Sequence, residues 1–165
     1  MSATDFAFRA QLVIPEQRQL FDYWRGKCCG RSMPARADIV PSEIPRLLPL
    51  VSLIDVARES LRVRLAGTQL REVYGRDITG AHVEDIDHSA RAAYWATAYQ
   101  RLRQGLPAQG ILPMHQPARE FMTRFWIRLP LSQDGAAVNM ILGYDSFVYA
   151  AKLAPLAGLL GREAG

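Results

Sequence analysis

Lysine is almost missing from this chain: eighteen arginines stand beside only Lys27 and Lys152, in 165 residues with a formal net charge of +4. The arginines are scattered and form no run. Nucleic-acid binding needs clustered cations that neutralise several phosphates together, so no nucleic-acid partner is expected. Cysteine is limited to the neighbours Cys28 and Cys29. Adjacent cysteines bridge only through a strained ring and offer no metal-ligand spacing, which excludes a disulfide framework and suits a reducing compartment. No window reaches eighteen apolar residues, and Met1 to Phe6 lacks a basic region followed by an apolar one. Neither a membrane span nor a secretory leader is predicted, and a cytoplasmic location is expected. Catalytic signatures are missing as well: there is no Gly-x-Ser-x-Gly, Walker loop, Gly-x-Gly-x-x-Gly or His-Glu-x-x-His, and His82, His88 and His115 share no ligand spacing. The chain is not expected to be an enzyme, and the sequence names no cofactor.

What remains is an ordinary globular composition, 49% hydrophobic and 22% charged, in a chain of one-domain length. Residues 1–14 carry no periodic pattern and are expected to form a flexible or loosely docked arm. Residues 15–149 make the domain, and 150–165 a partly helical tail with a short helix over Lys152–Leu160. Pro15 and Glu16 open a helix whose apolar stripe is Leu20, Phe21 and Trp24. Pro34, Pro41, Pro45 and Pro49 forbid any long element between Met33 and Pro49. Val51–Ala57 and Leu61–Ala66 then read as a β-hairpin, since Leu61, Val63 and Leu65 alternate with Arg62 and Arg64. Gly67 and Thr68 stop the second strand. Thr68 is placed to cap a short helix through its hydroxyl, and Gly75 to end that helix in a left-handed conformation. The longest helix runs over His88–Gln104, with Tyr94, Trp95, Ala98, Tyr99 and Leu102 on one face. Strands over Ile111–Gln116, Phe121–Leu131 and Ala136–Val148 follow, with a turn at Asp134 and Gly135. Their links are too short for crossovers, so these three strands form an antiparallel meander.

A second pattern overlaps this one. Trp24, Gly30-Arg31, Met33-Pro34, Arg36, Asp38-Ile39, Pro41, Ile44, Leu48-Pro49 and the strand ending Asp55-Val56 precede Arg62-x-Arg64-Leu65-x-Gly67-Thr68 and Gly75-x-Asp77-x-Thr79-Gly80. In that order the residues resemble a bacterial PAS-domain family, typical of alphaproteobacteria, from Trp24 to Gly80 and more weakly to Val148. The resemblance implies an α+β fold, a five-stranded antiparallel sheet with helices over one face and the N-terminal helix on or near the other. It also implies a sensory or regulatory role. Since one PAS domain accounts for the chain, output is expected through a signalling partner or a homodimer.

PAS-like proteins bind ligands between the helices and the sheet, which defines a candidate ligand site of Tyr74, His88, Arg91, Tyr94, Trp95, Phe125 and Ile127. His88 and Arg91 fall on the helix face that carries Tyr94 and Trp95. A cation in the first helical turn opposes the helix dipole, so Arg91 has one of two roles. It pairs with Asp85 or Asp87, or it offers a fork to the carboxylate or phosphate end of a small molecule with an apolar body. Glu84, Asp85 and Asp87 are read as complements to that dipole rather than as an acid–base pair. Arg25 to Arg31 is glycine-rich and basic but follows a helix, so it is read as a solvated exit and not a phosphate loop. On the Phe121–Leu131 strand, Arg124, Trp126 and Arg128 are expected to point away from the cleft. Covered by Leu20, Phe21 and Trp24, they form the candidate dimer or partner interface. The alternative to a small-molecule sensor is a protein–protein adaptor whose cleft is filled by its own side chains.

Overall fold

The computed structural model describes residues 1–58, 60–86, 91–114 and 121–153. Its centre is a five-stranded antiparallel sheet in the order β2-β1-β5-β4-β3. The strands are β1 (Val51–Val56), β2 (Leu61–Ala66), β3 (Ala108–Pro113), β4 (Met122–Leu131) and β5 (Met140–Tyr149). The described helices are α1 (Ala3–Ala10), α2 (Pro15–Lys27), α3 (Thr68–Tyr74), α4 (Val83–Ile86) and α5 (Ala92–Arg103). β1 and β2 form the expected hairpin, with Val56 opposite Leu61. β4 and β5 pair from Met122 opposite Tyr149 to Leu131 opposite Met140. Their turn is held by the Asp134 carboxylate, which accepts from the N–H groups of Ala136 and Ala137, while Gly135 takes a positive φ of 79°. Because the turn consumes those residues, β5 starts at Met140 rather than at Ala136.

Residues 1–14 do not form the loose arm expected of them. Ser2 and Asp5 make a reciprocal capping box that starts α1, each accepting from the other's backbone N–H at 3.2 and 2.8 Å. Phe8 then docks on Phe21, ring centroids 5.1 Å apart. Arg9 forks onto Asp22 at 2.7 and 2.8 Å, and Arg25 reaches Asp5 at 3.0 Å. α2 begins at Pro15 as predicted and carries Leu20, Phe21 and Trp24 into the core. The Trp24 indole donates to the Pro130 carbonyl at 2.9 Å, pinning α2 to β4. Residues 36–50 follow as three short 3-10 turns, which bring Ile39, Ile44 and Leu47 into the same cluster.

The residues behind the family resemblance are mostly structural. Asp38 accepts from Arg31 and from the Ala35 N–H, both at 2.7 Å, and so closes the loop after α2. Gly67, not Thr68, is the N-cap of α3, and no side chain caps that helix. A Cβ at Gly67 would collide with the backbone carbonyls of Leu48 and Pro49. Glycine is needed there for close approach, because its φ of −63° is ordinary. Gly75 ends α3 in the left-handed conformation, as predicted. Asp77 then accepts from the Thr79 N–H, and Gly80 donates to the Val63 carbonyl at 2.7 Å, folding the segment back along β2.

Two apolar clusters lie on opposite faces of the sheet. The outer one joins α1, α2 and residues 33–47 to Val51, Leu53, Ile127, Leu129, Leu131 and Leu142. The inner one joins α3, α4 and α5 to Ile54, Val63, Trp126 and Ile141. A register shift between Leu53 and Ile54 accompanies their assignment to different clusters. The expected orientation of β4 is therefore reversed. Ile127 packs under α2, with Phe125 on the same alternating side of the strand, whereas Trp126, Arg124 and Arg128 face the helices of the inner layer. Period-2 alternation distinguishes two faces without saying which is which, and an Arg-x-Trp-x-Arg face reads as solvent-facing until its counterion is located. Leu20, Phe21 and Trp24, assigned to an interface, are at most 1% exposed and are consumed inside the chain. The expected helix over Lys152–Leu160 lies largely outside the described residues, of which Ala150–Lys152 forms a single 3-10 turn.

Candidate inner-face cleft

β4 and β5 place three charged side chains on the inner face. Trp126 pairs directly with Asp145, so Arg124 and Arg128, two residues to either side, both reach the same carboxylate. Arg124 donates from Nε to Asp145 Oδ1 at 2.6 Å. Arg128 donates from Nη2 to Oδ1 at 3.1 Å and lies 3.0 Å from Oδ2. Arg128 Nη1 also donates to the Ile127 carbonyl at 2.9 Å. All three side chains are buried: Arg124 is 5%, Arg128 4% and Asp145 2% exposed. Gly143 makes room for this arrangement, since a Cβ there would press on Ser52 Oγ at 2.5 Å and on Arg128 at 3.1–3.2 Å.

The electrostatics follow from this packing. Burial pushes the Asp145 carboxyl up, but Arg124 and Arg128 outweigh it and hold the group below the usual carboxylate range. Burial likewise opposes the Arg128 charge, and Asp145 more than restores it. Two guanidiniums share this one carboxylate, and burying charge carries a desolvation cost. Aromatic faces soften that cost. Arg124 lies 5.2 Å from the Trp95 ring and 6.0 Å from Tyr74, and Arg128 lies 5.9 Å from Trp95 and 5.8 Å from Trp126. The Tyr94 hydroxyl accepts from the Trp126 indole at 3.1 Å. Of the buried polar atoms with no hydrogen-bond partner among the described residues, three lie together at this wall: Arg128 Nε, Trp95 Nε1 and the Tyr99 hydroxyl. Buried polar groups are nearly always satisfied, which makes three together notable.

Two cavities adjoin here. The first, among Ser52, Tyr74, Tyr99, Arg124, Arg128 and Asp145, holds only about 20 Å³, the room of roughly one water molecule. The second, about 760 Å³, opens beside α5 and is lined by Leu61, Val83, Ala92, Trp95, Ala96 and Tyr99, with Glu84, Asp85, Gln100 and Arg103 around it. Val83 and Tyr99 line both.

Of the residues expected to bind a ligand, Tyr74, Tyr94 and Trp95 do converge on the inner face. Arg91 is the half-buried N-cap of α5 and is not a lining residue of either cavity. His88 and Asp87 lie outside the described residues. Phe125 and Ile127 belong to the other side. Arg124, Trp126 and Arg128, expected at an interface, are cleft residues instead. Asp145 and the site role of Tyr99 escaped the sequence reading. A lone acid inside the apolar strand Met-Ile-Leu-Gly-Tyr-Asp was nevertheless a signal, because a buried carboxylate requires a cationic partner.

The sequence matches the family model described as "PAS domain" over residues 13–144, most of the chain. The chain belongs to the PAS family. Among curated proteins, none matches this sequence. Solved structures similar to this PAS domain include the LOV protein of Rhodobacter sphaeroides, at 18% identity over 76% of this chain and 81% of that one, with a TM-score of 0.52. A light-oxygen-voltage domain described with a flavin analogue shares 12% identity over 74% and 93% of the two chains, TM-score 0.56. The light-state LOV domain of the blue-light photoreceptor Aureochrome1 shares 11% over 76% and 98%, TM-score 0.52. At these identities the likeness is one of fold. PAS domains are a sensory family, and no helix among the described residues of this one is long and apolar enough to cross a membrane.

Proposed function

We propose that this PAS domain is a ligand-responsive regulatory module, not a catalyst, that passes occupancy of its inner-face cleft to a partner protein or a second copy. The observation that carries this reading is the set of unsatisfied donors on Arg128, Trp95 and Tyr99. A core built only for packing would not leave three buried donors together beside a charged cluster. A neighbouring cavity of 760 Å³ is within the range of about 300–1,000 Å³ usual for small-molecule sites. The space against Arg124 and Arg128, about 20 Å³, cannot take a three-ring body such as a flavin. Native mass spectrometry of the purified protein tests the reading. A mass above that of the bare chain, lost on denaturation, supports it. A bare chain whose melting temperature is unmoved by a small-molecule cell extract overturns it.

The second reading is a protein–protein adaptor with a self-filled cleft. The same 20 Å³ favours it, since the charged cluster already occupies most of that space.

A further inference from the structure

We infer that the free edge of β3 is the docking site for an extended acidic segment of a partner protein, which adds to the sheet as a sixth strand. The site lies at the rim of the sheet, apart from the inner-face cleft, and does not depend on that cleft being occupied.

The backbone shows which groups this edge offers. Met114 donates its N–H to the Met122 carbonyl at 3.0 Å, and the β3–β4 register continues from Pro113 opposite Thr123 to set these two residues face to face. In an antiparallel ladder a residue turns both its N–H and its C=O toward one neighbour, and the next residue turns both away. Leu112, Gly110 and Ala108 therefore bond to β4 as Met114 does, whereas Gln109, Ile111 and Pro113 turn outward. Pro113 fits this parity, since its missing N–H falls where β4 loses no bond. Among the described residues no strand pairs with β3 on that side, and Ile111 is 41% exposed. Outward N–H and C=O groups on an edge are what an added strand pairs with.

The edge also forms the floor of a groove. An open space of about 710 Å³ lies between α1 and α5, with Ala108 and Gln109 at its base. Gln109 pairs with Ile127 and so faces the outer layer, where its carboxamide lies 3.4 Å from that of Gln11 on α1. Ala108 belongs to the inner cluster, on the side of α5. Walls from opposite faces of a sheet meet only around its rim, so the groove follows the free edge of β3. Gln11, Gln100, Gln104 and Gln109 line it, and each carboxamide offers donors and an acceptor, the combination a peptide backbone requires.

Charge selects among extended segments. Arg101 is the one charged residue among the described lining residues, and it is exposed. Its Nε donates to the Pro107 carbonyl at 2.8 Å, which sets the guanidinium beside the start of β3. An acidic side chain on the inner side of the added strand meets that cation, and a basic one is repelled. A second copy of this chain is the poorer occupant, because its own β3 edge brings the same arginine-bearing wall and no described acid to answer it.

A library of random decapeptides, displayed on phage and panned on the full chain, tests the inference. Enriched peptides are expected to carry more Asp and Glu than the starting library. The most enriched peptide, made synthetically, should bind about tenfold more weakly to Gln109→Pro, which removes one outward N–H and no bond to β4. Arg101→Glu should weaken it by about tenfold as well, while Gln109→Ala, which keeps the N–H, should retain most of the affinity. If the proline variant does not fold, amide hydrogen exchange on the unaltered chain still decides. The peptide should slow exchange at Gln109 and Ile111 and leave Ala108, Gly110 and Leu112, already bonded to β4, little changed. No enrichment, enrichment of basic or uncharged peptides, or protection that does not alternate along β3 overturns the inference. Alternating protection that grows with protein concentration without peptide, together with a doubled mass, assigns the edge to a second copy and overturns it too.

Discussion

Asp145 answers for two arginines at once, so its loss has a definite cost. Removing one partner from a buried ion cluster leaves charge uncompensated in low dielectric and typically costs about 3–5 kcal/mol. Asp145→Ala, which takes this carboxylate from both Arg124 and Arg128, is expected in that range. The urea midpoint measures it, and a loss below about 1 kcal/mol would show that water or another group takes over from the carboxylate. Gly67 poses a different residue-scale problem, because what blocks a side chain there is the backbone at Leu48 and Pro49. Gly67→Ala should destabilise by about 3 kcal/mol, the upper end of overpacking, since main-chain carbonyls cannot rotate aside. The same substitution at Gly26, where a Cβ would meet nothing within 4 Å, serves as the control.

At the scale of elements, α1 is the part that sequence periodicity hid. Eight residues are too few to show a stripe, and only Phe8 among them is buried. Ser2 and Asp5 were the readable signal, a capping box spaced three apart. Phe8→Ala should cost about 3 kcal/mol in a denaturant melt, with the far-ultraviolet spectrum of the remaining helices retained. If stability is unchanged, the contact with Phe21 contributes nothing net. The hairpin, the meander, α2 and α3 were legible because their alternation, prolines and glycines are local signals. The facing of β4 was not. Both sides of that strand are buried, so polarity could not orient it, and the deciding fact is the pairing of Trp126 with Asp145 on another strand. The site was half legible for the same reason. Tyr74, Tyr94 and Trp95 could be placed from helical spacing, whereas Arg124 and Arg128 required a counterion from across the sheet.

For the whole molecule, acid should act through carboxylates of one sign. Asp145 is held below its ordinary value by Arg124 and Arg128 despite burial. Asp38 and Asp134 are lowered chiefly by backbone N–H groups, and Glu43 chiefly by Lys27. A carboxylate with a depressed folded pKa stabilises fully above its unfolded pKa of about 4, and that stability is lost as pH falls through the folded value. The urea midpoint should therefore be little affected by these groups from pH 7 to 5 and drop below about pH 4. In Asp145→Asn the acid drop should be shallower, because one titrating group has gone. A midpoint that rises on acidification would contradict the sign.

The two ends of the sheet are not equivalent. Along the free side of β2, residues 80–82 lie down as a short strap: Gly80 donates to the Val63 carbonyl, Val63 donates to Ala81, and Arg62 bridges to His82. With exposed Arg62 and Arg64 beside it, that edge is closed to strand addition. β3 has no such strap among the described residues. It is six residues long and ends in Pro113, which has no N–H to offer. Among the described residues, the edge open to a foreign strand is this one, through Ala108 to Leu112. Templated misassembly through the described sheet would thus enter at a short stretch, on the edge farthest from the hairpin.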